Sequence, residues 1–431
     1  AEVVIIGAGL AGLTTAQRLK DDGIECIVVE AGSDIGGRVK QAHGFVPWPV
    51  ECGPYFVHGR RHSLIFKLIQ KEGWPYQVVS WPQLFYLQNE RKWIDATGEV
   101  EDEDVEMIDE VLHDLVEKGP SSVPRFQTLR EYFAQHLPAR VRSLAENIYA
   151  NDVGADGDGV GAAAMAEEER EWIYGEEYVM LRDGDWRRIV ETLARGVRTR
   201  LNWKATGVDY SRPESITVTS NNGESIECKA VVVTVPITIL KQNVIDFSPP
   251  LPASKRAAMN VVQMGGGCKI ALKFSQPFWD RSTFDVVCGD SFIPEFWMDG
   301  GWGRGDPNST VCTITGFATG VKGDELARLG KEEVTRRFLQ QIDDMFENYP
   351  GASKGKKIAS AHFIDSFFFN WADEEHIGGG YSAPAPGDSG DVRRQLGAPV
   401  AGRGFFFGEG TQAKLKKCTH GALGTTGRGA A

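Results

Sequence analysis

Three glycines and one acid near the start of the chain have the types and spacing needed to hold a dinucleotide. Gly7, Gly9 and Gly12 follow a short apolar run, and Glu30 lies 18 residues beyond the last of them. Such glycines permit a tight turn, close approach of the main chain to a pyrophosphate, and close packing of a helix on a strand. The acid can accept hydrogen bonds from a ribose diol. The pattern predicts a dinucleotide site.

A second motif, Gly36-Gly37-Arg38, begins six residues after Glu30. An arginine so close to the nucleotide can pair with phosphate, and the glycines give the main chain room. A site for NAD has no evident need of this second element. The two motifs together therefore favour FAD as the cofactor.

These residues need a strand, a turn and a helix to position them, and the surrounding sequence predicts all three. Val3–Ile6 is a continuous apolar run, as is typical of a buried parallel strand. Leu13, Ala16 and Leu19 then recur at helical spacing, and residues 24–29 form a second apolar run. We expect one βαβ unit whose helix N-terminus faces the phosphates.

Later segments predict further elements. Residues 99–110 are strongly acidic but keep an apolar helical stripe, which indicates an amphipathic helix with a solvated acidic face. Residues 126–150 and 185–201 also predict helices, and residues 357–365 predict a strand.

Composition excludes several classes of function. The 59 acidic and 47 basic residues give a net charge of −12, which argues against nucleic acid and is compatible with a cationic substrate. The seven cysteines include no C-x-x-C pair, so we predict no metal site and no redox dithiol. No apolar run approaches the ~18 residues needed to span a bilayer.

Seven longer segments are spread over the whole chain: VVIIGAGLAGLTTAQRL, VVEAGSDIGGRV, VECGPYFVHG, VVVTVP, GCKIALKFSQPFW, NWADEEHIGGGYS and FFFGEGTQAKLKKCTHGALGTTGRGAA. Together, and in this order, they resemble the flavin-containing amine oxidase family. The segment ending in His58-Gly59 is most similar to the polyamine and spermine oxidase branch of that family.

The resemblance implies roles for four residues near the reacting atoms. The lysine matching Lys269 lies beside flavin N5 in the family, and Tyr381 matches one wall of an aromatic cage that guides the amine by cation–π attraction. Trp371 matches a tryptophan that packs near the flavin ring. His58 matches a histidine that contacts the amine chain in the polyamine branch, and Arg60 is a further candidate for contact with substrate.

The resemblance also implies cofactor contacts beyond Gly7, Gly9, Gly12, Glu30, Gly37 and Arg38. Near the end of the chain, Gly408, Glu409, Ala422 and Leu423 match the family's C-terminal FAD motif, a Gly-led turn followed by a helix N-terminus. Val208 matches a residue whose main chain contacts the adenine.

The chain departs from the family pattern at two positions. Gly380 stands where monoamine oxidases carry a flavin-linking cysteine, so we expect non-covalent FAD. Cys418 stands where most relatives have the second aromatic residue of the cage. This change favours a wider, more polar channel and makes Cys418 a candidate substrate contact.

The family implies an α/β fold with a Rossmann-like FAD-binding domain and a mixed α+β substrate domain. We expect a discontinuous FAD-binding domain from residues 1–80, 185–260 and 366–431. Residues 81–184 and 261–365 would form the substrate-binding domain.

The leading functional hypothesis is an FAD-dependent oxidase of amines, with polyamines as the preferred class. The amine would pass a hydride from its α-carbon to flavin N5, and the resulting imine would hydrolyse to an aldehyde while O2 is reduced to H2O2. One alternative is an L-amino-acid oxidase with Arg60 or Arg61 on the substrate carboxylate. Another is a flavin-binding protein with little oxidase activity.

The partners expected are therefore a small-molecule amine and O2, with no nucleic acid and no membrane span. The chain begins at Ala1, immediately before a strand, which is typical of a chain whose leader has been removed or trimmed. The composition favours a soluble protein and assigns neither a compartment nor an oligomeric state.

Overall fold

The computed structural model describes residues 1–175, 177–182, 185–280, 282–299, 311–349, 357–413 and 419–424. A parallel sheet, which we call the nucleotide sheet, lies at the centre of one part of the molecule. Across the sheet, its described strands are Thr199–Arg200, Cys26–Val29, Val3–Ile6, Ala230–Val233 and Gly404–Phe406.

Both faces of the nucleotide sheet are buried, which explains the continuous apolar runs in its strands. In the central strand, Val4 and Ile6 pack into one hydrophobic cluster, whereas Val3 and Ile5 pack into another. Because successive side chains of a strand point to opposite faces, these two clusters lie on opposite sides of the sheet.

A mixed sheet, which we call the substrate sheet, dominates the rest of the molecule. Across the sheet, its described strands are Phe363–Asn370, Gly267–Phe274, Cys312–Thr319, Glu295–Asp299, Asp285–Gly289, Leu84–Leu87 and Lys92–Asp95.

Four smaller sheets complete the described β-structure. They comprise Ser225–Cys228, Ile216–Ser220, Ala205–Asp209 and Asp246–Ser248; Val57–His58, Tyr178–Leu181 and Tyr76–Val79; Gln41–Ala42 with Val50–Glu51; and Gln263–Met264 with Ser382–Ala383.

Helices pack against the sheets, and residues 103–170 contribute four helices that pack on one another. The described α-helices are Leu10–Asp21, Leu64–Glu72, Glu103–Lys118, Leu129–His136, Ala139–Tyr149, Ala162–Arg170, Arg187–Ala194, Ile237–Lys241, Ala253–Val261, Gly320–Phe346, Ile358–His362, Gly390–Gly397 and Thr419–Gly424. Within the described residues, none of them combines the length and apolar character that crossing a membrane requires.

The predicted βαβ unit is confirmed. Val3–Ile6 and Cys26–Val29 pair in parallel, and Leu10–Asp21 connects them. Asp102 caps the acidic helix Glu103–Lys118 by accepting a hydrogen bond from the main-chain N–H of Val105, and the apolar stripe of that helix is buried.

Three predicted elements were wrong in part. The helix expected over 126–150 is divided at Pro138, which offers no N–H to continue a helix. The helix expected over 185–201 ends at Ala194, because Gly196 adopts a φ of 68° and the chain then enters the nucleotide sheet. The segment 357–365, expected to be a strand, contains the helix Ile358–His362, and the strand begins only at Phe363.

Candidate active site

A cavity of about 1150 Å³ runs from the edge of the nucleotide sheet to one face of the substrate sheet. Most of the candidate residues predicted from the sequence line it. They are Gly7, Gly9, Glu30, Gly37, Arg38, His58, Lys269, Trp371, Tyr381, Gly408, Glu409 and Ala422.

The glycine turn leaves room at one end of the cavity. Gly7 has a φ of 107°, in the region that favours glycine, and a Cβ on it would lie 2.7 Å from Thr234 Oγ1. Gly9 is the N-cap of the helix Leu10–Asp21 and lines the cavity. Gly12 does not line it; a Cβ there would lie 1.9 Å from the carbonyl oxygen of Gly7, so this glycine allows the helix to pack on the turn.

Glu30 organises the same end of the cavity. Its two carboxylate oxygens accept hydrogen bonds from the main-chain N–H groups of Ala8, at 2.7 Å, and Gly32, at 2.8 Å. Each carboxylate oxygen has a second lone pair, so the group can still accept hydrogen bonds from a diol. The turn and the acid together have the shape and the acceptors that an adenosine diphosphate group requires.

Arg38 and Glu409 form an ion pair in the middle of the cavity wall. Arg38 Nη1 donates to Glu409 Oε1 at 2.8 Å and to the carbonyl of Gly380 at 3.0 Å. Burial alone would raise the pKa of Glu409, but the charges of Arg38 and Arg393 and the hydrogen bond from Ser382 lower it below its ordinary value. Glu409 is therefore held as a carboxylate.

Lys269 lies at the other end of the cavity, on the strand Gly267–Phe274. The side chain is buried, and its Nζ donates to the carbonyls of Gly53 and Glu51, the latter at 3.1 Å. The same Nζ lies 5.3 Å from the ring centroid of Tyr55 and 5.2 Å from that of Trp297. These contacts fix a cationic side chain against an aromatic wall.

Tyr381 and Trp371 contribute two further aromatic surfaces. The hydroxyl of Tyr381 donates to the carbonyl of Asp152 at 2.7 Å, which holds the ring in place. Trp371 Nε1 donates to the carbonyl of Cys52 at 2.9 Å, so the indole is fixed as well. Both rings are therefore rigid parts of the cavity wall.

His58 lies on the strand Val57–His58, where its ring packs against Tyr178 with a centroid distance of 4.5 Å. Tyr178 in turn lies 5.2 Å from the ring of Trp81. All three rings line the cavity.

Three further sequence candidates lie outside the cavity lining. Val208 and Leu423 are buried in hydrophobic clusters and do not line the cavity. Arg60 also lies outside the lining and pairs with Glu177 at 2.9 Å. Cys418 lies outside the described residues.

No motif in the sequence indicated Glu295, which lines the cavity although it is only 4% exposed. Trp81 Nε1 donates to its Oε1 at 2.9 Å, and Asn151 Nδ2 donates to its Oε2 at 3.2 Å. Burial, and then the charge of Asp152, raise the pKa of Glu295 to about 8. An acid within the apolar segment 294–298 was the available signal, because acids are rarely buried without a role.

Known proteins resemble this chain over nearly its whole length. Residues 10–431 match the family model described as flavin containing amine oxidoreductase. Polyamine oxidase 2 of Arabidopsis thaliana is 25% identical over 98% of this chain and 86% of its own length. Lysine-specific histone demethylase 2 of Homo sapiens is also 25% identical, over 97% of this chain and 52% of its own length.

Solved structures share the fold. Cyclohexylamine oxidase from Brevibacterium oxydans IH-35A matches with a TM-score of 0.81 at 21% identity, covering 100% of this chain and 97% of that one. Putrescine oxidase bound to putrescine matches with a TM-score of 0.82 at 18% identity, covering 99% and 97%. The expected two-domain fold class of FAD-dependent amine oxidases is thereby confirmed, as is FAD as the cofactor. The chain belongs to the flavin containing amine oxidoreductase family and is an amine-acting oxidoreductase.

Proposed function

We propose that this protein oxidises amines that carry at least two cationic groups, with polyamines as the leading substrate class. The observation that carries the proposal is the buried carboxyl group of Glu295, in the same cavity as Lys269 and Tyr381. Asp152 adds a second acid to the lining. An acidic end of the cavity gives a second ammonium a binding partner.

The register of the substrate sheet supports a substrate of defined length. Lys269 is opposite Phe317, and Phe317 is opposite Glu295 on the next strand. The three side chains therefore project from one face in a single row, and the strands that carry Lys269 and Glu295 are about 10 Å apart. A diamine with its reacting nitrogen near Lys269 and Tyr381 would direct its second ammonium toward Glu295.

Aromatic side chains supply the rest of the substrate wall. Trp81, Tyr178, Trp297 and Phe317 line the cavity with His58 and Tyr381. Their faces attract ammonium groups and exclude water from a methylene chain. The arrangement suits a flexible aliphatic chain with charges at intervals better than a single compact cation.

FAD supplies the two-electron oxidation of the C–N bond when it is bound. We propose that it is bound without a covalent link, because Gly380 offers no side chain for one. The protein contributes the glycine turn and Glu30 for the adenosine end, Arg38 with Glu409 at mid-cavity, and Lys269 at the substrate end. In the overall reaction, the amine, one O2 and one water give an aldehyde, hydrogen peroxide and the nitrogen fragment released by C–N cleavage, which is an amine from a secondary nitrogen and ammonia from a primary one.

The two-domain division remains a proposal, with an FAD-binding domain of residues 1–80, 185–260 and 366–431 and a substrate domain of 81–184 and 261–365. All described strands of the nucleotide sheet fall in the first set. The strand Phe363–Asn370 crosses the boundary at 366 and pairs throughout with Gly267–Phe274, so this strand belongs to the substrate sheet.

The contacts of Arg60 give no support to an L-amino-acid oxidase. Its guanidinium pairs with Glu177 and is not part of the cavity lining, so it does not offer a cation to a substrate carboxylate.

Anaerobic stopped-flow absorbance of the flavin tests the proposal. Spermine, spermidine and putrescine should bleach the bound FAD, and 1-aminobutane and L-amino acids should do so much more slowly. Bleaching by the monoamine or the amino acids, with none by any polyamine, would refute the assignment.

The variant Glu295→Gln tests the proposed ammonium site. It should raise the apparent Kd for spermidine about tenfold or more, because a charge-assisted hydrogen bond is lost, and leave the Kd for 1-aminobutane within about twofold. Glu168→Gln is the matched control, since Glu168 is equally buried and does not line the cavity. An unchanged ratio of the two Kd values in Glu295→Gln would contradict the proposal.

A further inference from the structure

A completely buried ion pair lies behind the cavity wall, where it contacts neither the cavity nor solvent. The side chains of Arg393 and Asp388 are both 0% exposed, and Arg393 donates to Asp388 Oδ2 from Nε at 2.8 Å and from Nη2 at 2.6 Å. Neither residue lines the cavity. Burying two charges is costly unless the remaining donors are satisfied, so the other partners of Arg393 indicate its role.

Those partners belong to the segments that carry Tyr381 and Glu409. Arg393 Nη1 donates to Ser382 Oγ at 2.6 Å, and Nη2 donates to the carbonyl of Ala383 at 2.9 Å. Nη1 also donates to a second acceptor, the carbonyl of Gly410, at 3.3 Å. Arg393 thus joins the residues that follow Tyr381 to the turn that contains Glu409.

The hydrogen-bond directions in this network are determined by chemistry. A guanidinium has only donors, so Ser382 Oγ accepts from Arg393 and its own proton is left for Glu409. The Ser382 hydroxyl and main-chain N–H both donate to Glu409 Oε2, the latter at 3.2 Å. Arg38 supplies the donor to Glu409 Oε1 and holds the carbonyl of Gly380.

The main chain on both sides of Tyr381 is therefore held by one continuous network of hydrogen bonds. Arg38 binds the residue before it, and Arg393 binds the two residues after it, with Glu409 between the two arginines. These hydrogen bonds connect Arg393 both to the carboxylate at mid-cavity and to the residues that follow Tyr381.

We propose that Arg393 is a positioning residue that acts through Ser382 on Glu409 and Tyr381. It sets the affinity of the cavity for FAD and the placement of the substrate-facing tyrosine without touching either ligand. The part that concerns the amine rests on the function proposed above, whereas the part that concerns FAD does not.

The test uses Ser382→Ala, Arg393→Met and the double variant, with FAD titrated into each apo-protein and followed by flavin fluorescence. Ser382→Ala removes one hydroxyl and keeps the buried ion pair. It should raise the Kd for FAD about tenfold and slow anaerobic flavin reduction by a good amine substrate about tenfold, as expected for loss of a hydrogen bond to a charged group. Arg394→Gln is the control, since Arg394 is the adjacent exposed arginine and pairs with Asp391 on the surface.

The double variant separates action through Ser382 from a general effect on the fold. If Arg393 acts through Ser382, the double variant should bind FAD no more weakly than Arg393→Met within about twofold. Full additivity of the two single effects, or wild-type FAD affinity in Ser382→Ala, would overturn the proposal. Should Arg393→Met fail to fold, the FAD affinity of Ser382→Ala decides alone. The titration needs no amine, so a wild-type protein that oxidises no amine would refute the proposed function and leave this result intact.

Discussion

Glu295 is an acid in the wall of the cavity, which the aromatic side chains of Trp81 and Trp297 also line. Burial and the charge of Asp152 raise its pKa to about 8, while the hydrogen bonds from Trp81 and Asn151 and the charge of Lys269 act in the opposite direction. Near neutral pH the folded protein therefore holds this carboxyl largely protonated. A nearby substrate ammonium would favour its ionisation, so binding of a dication is coupled to release of a proton.

This raised pKa predicts a pH dependence of stability. Between 4.5, the ordinary pKa of the group, and about 8, folded Glu295 keeps a proton that the unfolded chain has released. The free energy of unfolding should therefore decrease as pH rises, by about 1.4 kcal/mol per pH unit from this one group. Glu295→Gln should lack that contribution, so urea unfolding between pH 5 and 9 should show the variant gaining stability over the wild type up to pH 8.

The control for that measurement is Glu333→Gln. Glu333 lies on the surface, and the hydrogen bonds from Arg336 and Arg337 lower its pKa to about 2. Both the folded and unfolded carboxyl are ionised above pH 6, so this variant should keep the wild-type slope there. A parallel pH profile for wild type and Glu295→Gln would show that Glu295 is ionised in the folded protein.

At the level of elements, the helix Leu10–Asp21 depends on its approach to the strand before it. Gly12 lies against the carbonyl of Gly7, and its hypothetical Cβ would also lie 3.1 Å from Thr234 Oγ1. The neighbouring atoms are mostly main chain, so they have little freedom to move. A change that moves this helix away from the strand would therefore also change the shape of the turn.

Gly12→Ala should disrupt both packing and cofactor binding. Overpacking at 1.9 Å against a carbonyl oxygen should cost about 3 kcal/mol of unfolding free energy, and the displaced helix should no longer retain FAD. Urea unfolding of the apo-protein and the flavin-to-protein absorbance ratio after gel filtration measure the two effects. Gly98→Ala, at a position with nothing within 4 Å of the added Cβ, should change neither. Normal FAD retention by Gly12→Ala would contradict the role given to this turn.

At the level of the whole molecule, the cavity joins two sheets that have separate hydrophobic cores. Glycines and Glu30 come from the nucleotide sheet, whereas Lys269, Phe317 and Glu295 come from the substrate sheet. A ligand that contacts both sets binds only the assembled fold. Its binding energy is therefore added to the stability of the whole protein.

FAD should stabilise the apo-protein in a concentration-dependent way. At a hundredfold excess over its Kd, the gain should be about 2.7 kcal/mol, seen as an increase in Tm in a thermal scan. FMN, which lacks the adenosine part, should stabilise far less because it cannot reach the glycine turn and Glu30. Equal stabilisation by FMN and FAD would mean that this end of the cavity does not bind the nucleotide.

Local sequence predicted the proposed cofactor half of the site. The residues of the first βαβ unit are neighbours along the chain, and each has a local reason for its type: a turn, a close approach or a helix start. The motif spacing therefore predicted the strand, the helix and the role of Gly7, Gly9 and Glu30 before any long-range contact was known. Lys269 and Tyr381 were identified only through the resemblance to a family, since a lysine or tyrosine in a strand has no local signature.

Tertiary structure alone decided what those residues face. Glu295 shares the cavity with Lys269, 26 residues earlier in the chain, because their strands pair with the same central strand, and Arg393 donates to Ser382, which in turn donates to Glu409. The burial that raises the pKa of Glu295 is also a property of the assembled protein. Sheet register, burial and charge pairing depend on contacts between distant segments, and the order of residues along the chain does not contain them.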